Sequence, residues 1–347
     1  FEKIEDLDFS FGDMGLLDKA KHFATLYIEE LGDFISANLD EDFGFTKYAE
    51  KIARTATSFR PIEEKLNGSP SLIVEELITI VEQIIKETRP TIIGFTVPFP
   101  GNLYSTLRAS KYIKENHPHI KVLIGGGYCN TELRSLKDPT IFKYLDYIVL
   151  DDGEAPIERI LEFENNEIEK SALIRTYLIE NKDVKYINNP FSHKHKDLPS
   201  PSYKGLNMNL YVSFLDILNP MHRMWSDGKW NKLTISHGCY WAKCSFCDVS
   251  LDYIGRYENT SADDLVNKME NLIAQTGEIG FHFVDEAAPP KMLRALSEEI
   301  INRSLKVVWW TNIRFEKTYT QELCKLMSKA GCIAVTGGLE VASDRLL

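Results

Sequence analysis

The chain has no apolar run approaching the length of a membrane span, which argues against helical insertion in a bilayer. It has no excess of basic residues: 40 Lys and Arg stand against 51 Asp and Glu, a net charge of −11. A broad nucleic-acid or membrane-surface footprint needs the opposite sign, so neither partner is expected. No secretory leader is recognisable, and Phe1 is not a natural start, so the chain reads as a window cut from something longer. Cysteine is scarce, with six in 347 residues. A secreted disulfide scaffold would be shorter and denser in cysteine, so a reducing, cytoplasmic setting is expected. Cys129, Cys324 and Cys332 are scattered and read as small buried residues. What remains is ordinary globular composition, 44% hydrophobic and 26% charged, at a length that suggests two or three domains.

The other three cysteines are concentrated. Ser236-His237-Gly238-Cys239-Tyr240-Trp241-Ala242-Lys243-Cys244-Ser245-Phe246-Cys247-Asp248 directly follows Lys232-Leu233-Thr234-Ile235. The strand is read over Leu233 to Ser236. Three thiolates on one loop can hold a soft metal centre and leave one coordination position free. That points to a cluster that reacts. The alternative is a zinc site completed by His237 or Asp248, although zinc ligands usually come as paired knuckles and no second cysteine pair exists.

Before this loop, residues 1–90 read as a helical segment, with amphipathic helices over Leu16 to Ile35 and Leu72 to Thr88. Ser71 can cap the second. Residues 91–165 alternate strands and helices. The strands are Thr91 to Val97, Ile120 to Ile124 and Tyr147 to Leu150, and the pattern predicts a parallel, doubly wound sheet. Thr96, Gly125, Gly126, Gly127 and Gly153 fall at the carboxyl ends of these strands, where such sheets bind ligands. The glycines equally fit tight strand-to-helix turns. Residues 166–230 read as a linker carrying a small hairpin, Ile174 to Ile179 with Val184 to Ile187. His193 and His195 in this polar stretch read as solvated loop histidines.

Alternation returns over residues 231–347. Strands at Gly280 to Val284, Lys306 to Thr311 and Ile333 to Thr336 follow the first, with helices at Ala262 to Ala274, Lys291 to Ile301 and Thr320 to Ala330. This describes part of a β/α barrel whose site lies at the carboxyl ends of the strands.

The cysteine loop resembles the signature of the radical S-adenosylmethionine (SAM) superfamily. Four residues separate Cys239 from Cys244 where the usual pattern has three, and two separate Cys244 from Cys247. Gly238, Phe246 and Asp248 also fit. The resemblance implies that Cys239, Cys244 and Cys247 ligate three irons of a [4Fe–4S] cluster. SAM would chelate the fourth iron and be cleaved to methionine and a 5′-deoxyadenosyl radical. It further implies SAM contacts from Phe246, from Asp285 and Glu286 after the second strand, from Asn312 and Arg314 after the third, and from Glu340 after the fourth. His282, within a strand, reads as packed or hydrogen-bonded. Upstream, Gly94-Phe95-Thr96, Ile124-Gly125-Gly126, Asp152-Gly153-Glu154 with Pro156, and the segment Asp197 to Pro201 resemble the cobalamin-binding domain that precedes the barrel in one large radical SAM group. Thr96, Gly125, Gly126 and Gly153 would then face cobalamin. The Asp-x-His-x-x-Gly motif that supplies a lower cobalt ligand in some such domains is absent, so cobalamin would bind without a histidine from this stretch.

The expected fold is therefore α/β: an N-terminal helical segment, a Rossmann-like parallel sheet, and a partial β/α radical SAM barrel. The implied function is reductive SAM cleavage and radical chemistry on a small-molecule or peptide substrate, with cobalamin-dependent methyl transfer as one outcome. An electron donor such as flavodoxin or ferredoxin is the implied partner. A cobalamin-free radical SAM enzyme and a non-catalytic metal-binding scaffold are the competing readings.

Overall fold

A computed structural model describes residues 16–45, 58–208, 230–338 and 345. The chain divides into two compact units, Gly32–Lys194 with Leu251–Tyr253, and Phe1–Leu31 with His195–Ser250 and Ile254–Leu347. Helix α1 spans Leu16–Asn38. Among the described residues no helix is long and apolar enough to cross a membrane.

After the end of α1, the Gly32–Lys194 unit continues with α2 (Arg60–Asn67) and α3 (Leu72–Thr88). The Ser71 side chain accepts a hydrogen bond from the Val74 amide at 3.4 Å, satisfying one of the orphan donors of the first turn. Arg89, in the left-handed region at φ 47°, ends α3 before Pro90. Three parallel strands follow, β1 (Ile92–Thr96), β2 (Lys121–Gly125) and β3 (Tyr147–Val149). They alternate with α4 (Pro100–Asn116), α5 (Gly127–Glu132) and α6 (Glu154–Glu164). Buried Arg108 of α4 donates to the carbonyls of Lys65, Leu66 and Gly68 at 2.7–3.2 Å. A cation set on the last carbonyls of α2 ties that helix to the sheet layer.

The hairpin expected in the linker is part of this sheet. Its strands, β4 (Thr176–Glu180) and β5 (Asp183–Ile187), pair antiparallel with each other, and β4 pairs antiparallel with β3. The unit therefore runs on to Lys194. The strand order is β1-β2-β3-β4-β5 and never reverses. The described sheet thus lacks the switch point of a doubly wound fold, and its ligand-accessible edge is the row of carboxyl ends of β1 to β3.

The second unit contains a four-stranded parallel sheet, in the spatial order Cys332–Thr336, Val308–Asn312, Gly280–Phe283, Asn231–Leu233. The strands are β6 (Asn231–Leu233), β9 (Gly280–Phe283), β10 (Val308–Asn312) and β11 (Cys332–Thr336). They alternate with α7 (Ala262–Thr276), α8 (Pro290–Asn302) and α9 (Gln321–Lys329). Each new strand adds on the same side, as a segment of a β/α barrel requires. One face carries Leu233, Phe281, Phe283, Trp309 and Val335, packed under Leu265, Met269, Leu293, Leu296 and Leu323 of the helices.

The first strand is shorter than the sequence suggests. It stops at Leu233, and Ser236–His237 forms a separate strand, β7, paired antiparallel with β8 (Glu258–Asn259). The amides of Ile235 and Ser236 leave the ladder because both donate to the side chain of Asp285. Two further expectations are corrected by burial. Cys324 is exposed, whereas Cys129 is fully buried. His195 is buried, with its amide donating to Glu258 at 2.7 Å, while His193 pairs with Glu158 at 3.0 Å.

Candidate metal centre

The cysteine loop leaves the carboxyl end of β6 through β7. Cys239 donates its amide to the Ile254 carbonyl at 2.9 Å, which anchors the entry. Gly238 sits at φ 72°, and a Cβ there would lie 2.3 Å from the Arg256 carbonyl oxygen. Only glycine accepts both that conformation and that approach. Ala242, between the first two cysteines, also has positive φ, at 44°. The Cys247 amide closes a turn onto the Cys244 carbonyl at 3.2 Å.

All three cysteines are half-buried and none forms a disulfide. Burial first, then the neighbouring thiols of Cys244 and Cys239 and the Glu286 and Asp248 carboxylates, push the Cys247 thiol up. The three sulfurs are not drawn within 4.8 Å of one another, as three ligands of one ion would be. The two side chains that could complete a zinc site are engaged elsewhere. His237 Nδ1 donates to the Arg256 carbonyl at 2.7 Å, and its Nε2 lies 3.2 Å from Arg256 Nη2. Asp248 Oδ1 accepts from the Ser250 amide at 3.0 Å and its hydroxyl at 2.5 Å. The donor set that remains is three thiols on one loop, which suits a cluster with one iron free of protein ligands.

The side chains singled out at the strand ends divide. Asp285 is 1% exposed and accepts from the Ile235 amide, the Ser236 amide and the Ser236 hydroxyl. Burial raises its carboxyl to about 6, against the opposing pull of these bonds. It therefore holds the root of the loop. Glu286, the next residue, is exposed by surface area, yet enough protein surrounds its carboxyl to raise its pKa. Asn312 donates to the Asp285 carbonyl at 3.0 Å. Arg314 pairs with Glu316 and lies over the Trp241 ring, 3.7 Å from its centroid. Phe246 is 68% exposed beside Cys247. Glu340 lies outside the described residues. The Trp241–Arg314 contact escaped the sequence reading, since it joins two loops 73 positions apart (314 − 241).

In the other unit, Thr96 and Gly125 are register partners at the ends of β1 and β2. Gly126, at φ 103°, and Gly127 lie against the Val97–Pro98 backbone, where a Cβ would come within 3.0 Å and 2.8 Å of carbonyl oxygens. Packing accounts for both. Gly153 precedes α6, and a Cβ there would meet only the Ile157 side chain, at 3.4 Å. Beside it, Asp151 pairs with Arg134, and its amide donates a hydrogen bond to Asn130 Oδ1 at 2.7 Å.

No family model matches the chain. An uncharacterized methyltransferase of Pyrococcus horikoshii, PH0819, is 25% identical over 273 residues, 77% of this chain and 55% of that protein. The chain thus spans about half the length of that relative. The cobalamin-dependent S-adenosylmethionine radical enzyme OxsB, with aqua-cobalamin bound, superposes with a TM-score of 0.60 at 16% identity, over 79% of this chain and 39% of that one. The radical SAM methyltransferase TsrM of Kitasatospora setae, with cobalamin and a [4Fe–4S] cluster bound, superposes with a TM-score of 0.59 at 17% identity, over 78% and 54%. The chain has the α/β fold of these enzymes.

Proposed function

We propose that this chain is the cobalamin- and cluster-binding portion of a radical SAM enzyme, most simply a methyltransferase. The observation that carries the reading is the loop bearing Cys239, Cys244 and Cys247 at the first strand end of a parallel β/α sheet, with His237 and Asp248 already engaged. A [4Fe–4S] cluster would supply the electron for reductive cleavage of SAM, and cobalamin would supply a methyl carrier. The protein's part is placement. The three thiolates would hold the cluster, and Asp285 fixes the loop root. Glu286 and Arg314 offer a carboxylate and a guanidinium for the amino and carboxylate groups of SAM. Phe246 offers an apolar face. An electron donor such as flavodoxin or ferredoxin would serve the reaction, whose substrate is a small molecule or peptide.

A cobalamin-free radical SAM enzyme is the second reading. It is favoured by one observation: packing against Val97 and Pro98 accounts for Gly126 and Gly127 without any ligand.

Anaerobic reconstitution with iron and sulfide tests the first reading. The expected result is four irons per chain and a visible charge-transfer band, both lost in the Cys239→Ala/Cys244→Ala/Cys247→Ala variant. Both should be retained when Cys129, Cys324 and Cys332 become serine. Stoichiometric zinc without sulfide would overturn it. Retention of hydroxocobalamin through desalting decides between the two readings.

A further inference from the structure

The face of the second sheet turned away from α7, α8 and α9 carries side chains that the cluster reading does not use. Parallel register sets Lys232 of β6 beside His282 of β9, His282 beside Trp310 of β10, and Trp310 beside Ala334 of β11. Register partners share a face, and Phe281, Phe283 and Trp309 point to the other. The His282 ring lies flat on the Trp310 indole, with ring centroids 3.5 Å apart and planes within 9°. Lys232 Nζ is 2.7 Å from His282 Nδ1.

An ammonium only donates, so Nδ1 accepts and the neutral imidazole carries its proton on Nε2. That Nε2 is shut off from solvent and has no hydrogen-bond partner among the described residues. The Nε1–H of Trp230 is in the same position. Its ring packs on Gly280, where a Cβ would come within 2.9 Å of it. Gly280 is two residues before His282 on the same strand, hence on the same face. Lys232 is exposed by surface area, yet the protein around its ammonium lowers its pKa. The imidazole N–H and the indole N–H thus face one side of the sheet without an acceptor among the described residues, beside the exposed Lys232 ammonium that donates to Nδ1. Buried donors are rarely left so. A metal ion is excluded by the lysine, and a water accepts fewer hydrogen bonds than the roughly four a carboxylate can take.

We propose that Lys232, His282 Nε2–H and Trp230 Nε1–H form a subsite for the anionic end of a small-molecule substrate, a carboxylate or a phosphate. The stack on Trp310 holds the imidazole in place. The inference rests on the radical SAM reading for calling the ligand a substrate, and it adds that the substrate is an acid. His282 lies three residues before Asp285, about 10 Å down the strand at ~3.3 Å per residue. The anion would hold the far end of a molecule whose reacting carbon lies nearer the cysteine loop.

The test uses the full chain with acetate and with inorganic phosphate as probes. Long-range ¹⁵N–¹H NMR reads the His282 tautomer and the Trp230 indole resonance during titration, and cluster absorption is read in parallel. The expected result is the Nε2–H tautomer, saturable shifts of both resonances with one probe, and affinity lowered about tenfold in Lys232→Met. Trp230→Phe, which keeps a ring over Gly280, should weaken binding while leaving cluster loading unchanged. The responding probe separates carboxylate from phosphate. An Nδ1–H tautomer, or no saturable shift with either probe while the cluster loads normally, would overturn the subsite and leave the radical SAM reading standing. Probe binding in a chain that takes up no iron and sulfide would do the reverse. Should Lys232→Met lose its circular dichroism, Trp230→Phe alone decides.

Discussion

Asp285 takes two hydrogen bonds from Ser236, one from its amide at 2.9 Å and one from its hydroxyl at 3.1 Å. With a third from the Ile235 amide at 2.9 Å, they clamp the end of β9 to the root of the cysteine loop. The carboxyl is nearly sealed from water, so burial outweighs these bonds and its pKa rises from 3.8 to about 6.

That clamp has a pH signature. The folded pKa lies above the unfolded value, so the fold holds the proton longer. Between pH 3.8 and about 6 the unfolded chain ionises while the fold does not. Stability from this group is full below that window and is lost as pH rises through it, by about 3 kcal/mol in all. The advantage of the wild type over Asp285→Asn should therefore be largest near pH 3 and shrink by nearly that amount by pH 6.5. Urea unfolding followed by tryptophan fluorescence reads it. All five tryptophans fall within the sequence range of the second unit. A flat difference would show that the carboxyl is ionised throughout.

Gly238→Ala should disable the loop without touching the Gly32–Lys194 unit. The left-handed conformation alone costs about 1–2 kcal/mol, and the Cβ would sit 2.3 Å from the Arg256 oxygen. The expected outcome is loss of iron and sulfide uptake with unchanged hydrogen exchange in β1 to β3. Normal uptake would mean that the loop entry relaxes freely.

Arg314→Ala removes the cation from the Trp241 face, an interaction worth roughly 0.5–2 kcal/mol. The residue between Cys239 and Cys244 that this stack restrains should become mobile. Faster cluster loss to a chelator and greater acrylamide quenching of Trp241 are expected. Arg314→Lys, which keeps the charge but not the planar stack, should fall between the two.

Gly126→Ala should destabilise the first unit even without cobalamin, because a Cβ at φ 103° would crowd the Val97 carbonyl at 3.0 Å. Thermal unfolding of cobalamin-free protein, followed by circular dichroism, should show a lower first transition. Were the variant to unfold normally and fail only in cobalamin retention, the glycine would instead serve ligand approach.

The sequence by itself determined what short-range chemistry dictates. Helix α3 runs from Leu72 to Thr88 as read, because Ser71 and Pro90 bracket it locally. The three clustered cysteines, the glycine before them and the alternation of strand and helix were equally legible. Tertiary structure decided matters that depend on partners far along the chain. Asp285 read as a cofactor contact, but its carboxylate is spent on amides 50 and 49 positions away. The hairpin read as part of a linker, but β4 is held by β3. His195 read as solvated in its polar segment, yet packing buries it. Lys232, His282 and Trp310 are ordinary strand residues until parallel register lays them side by side. Local propensity reports a residue's conformation, whereas the direction and partners of its side chain follow from pairing and burial that only the folded chain supplies.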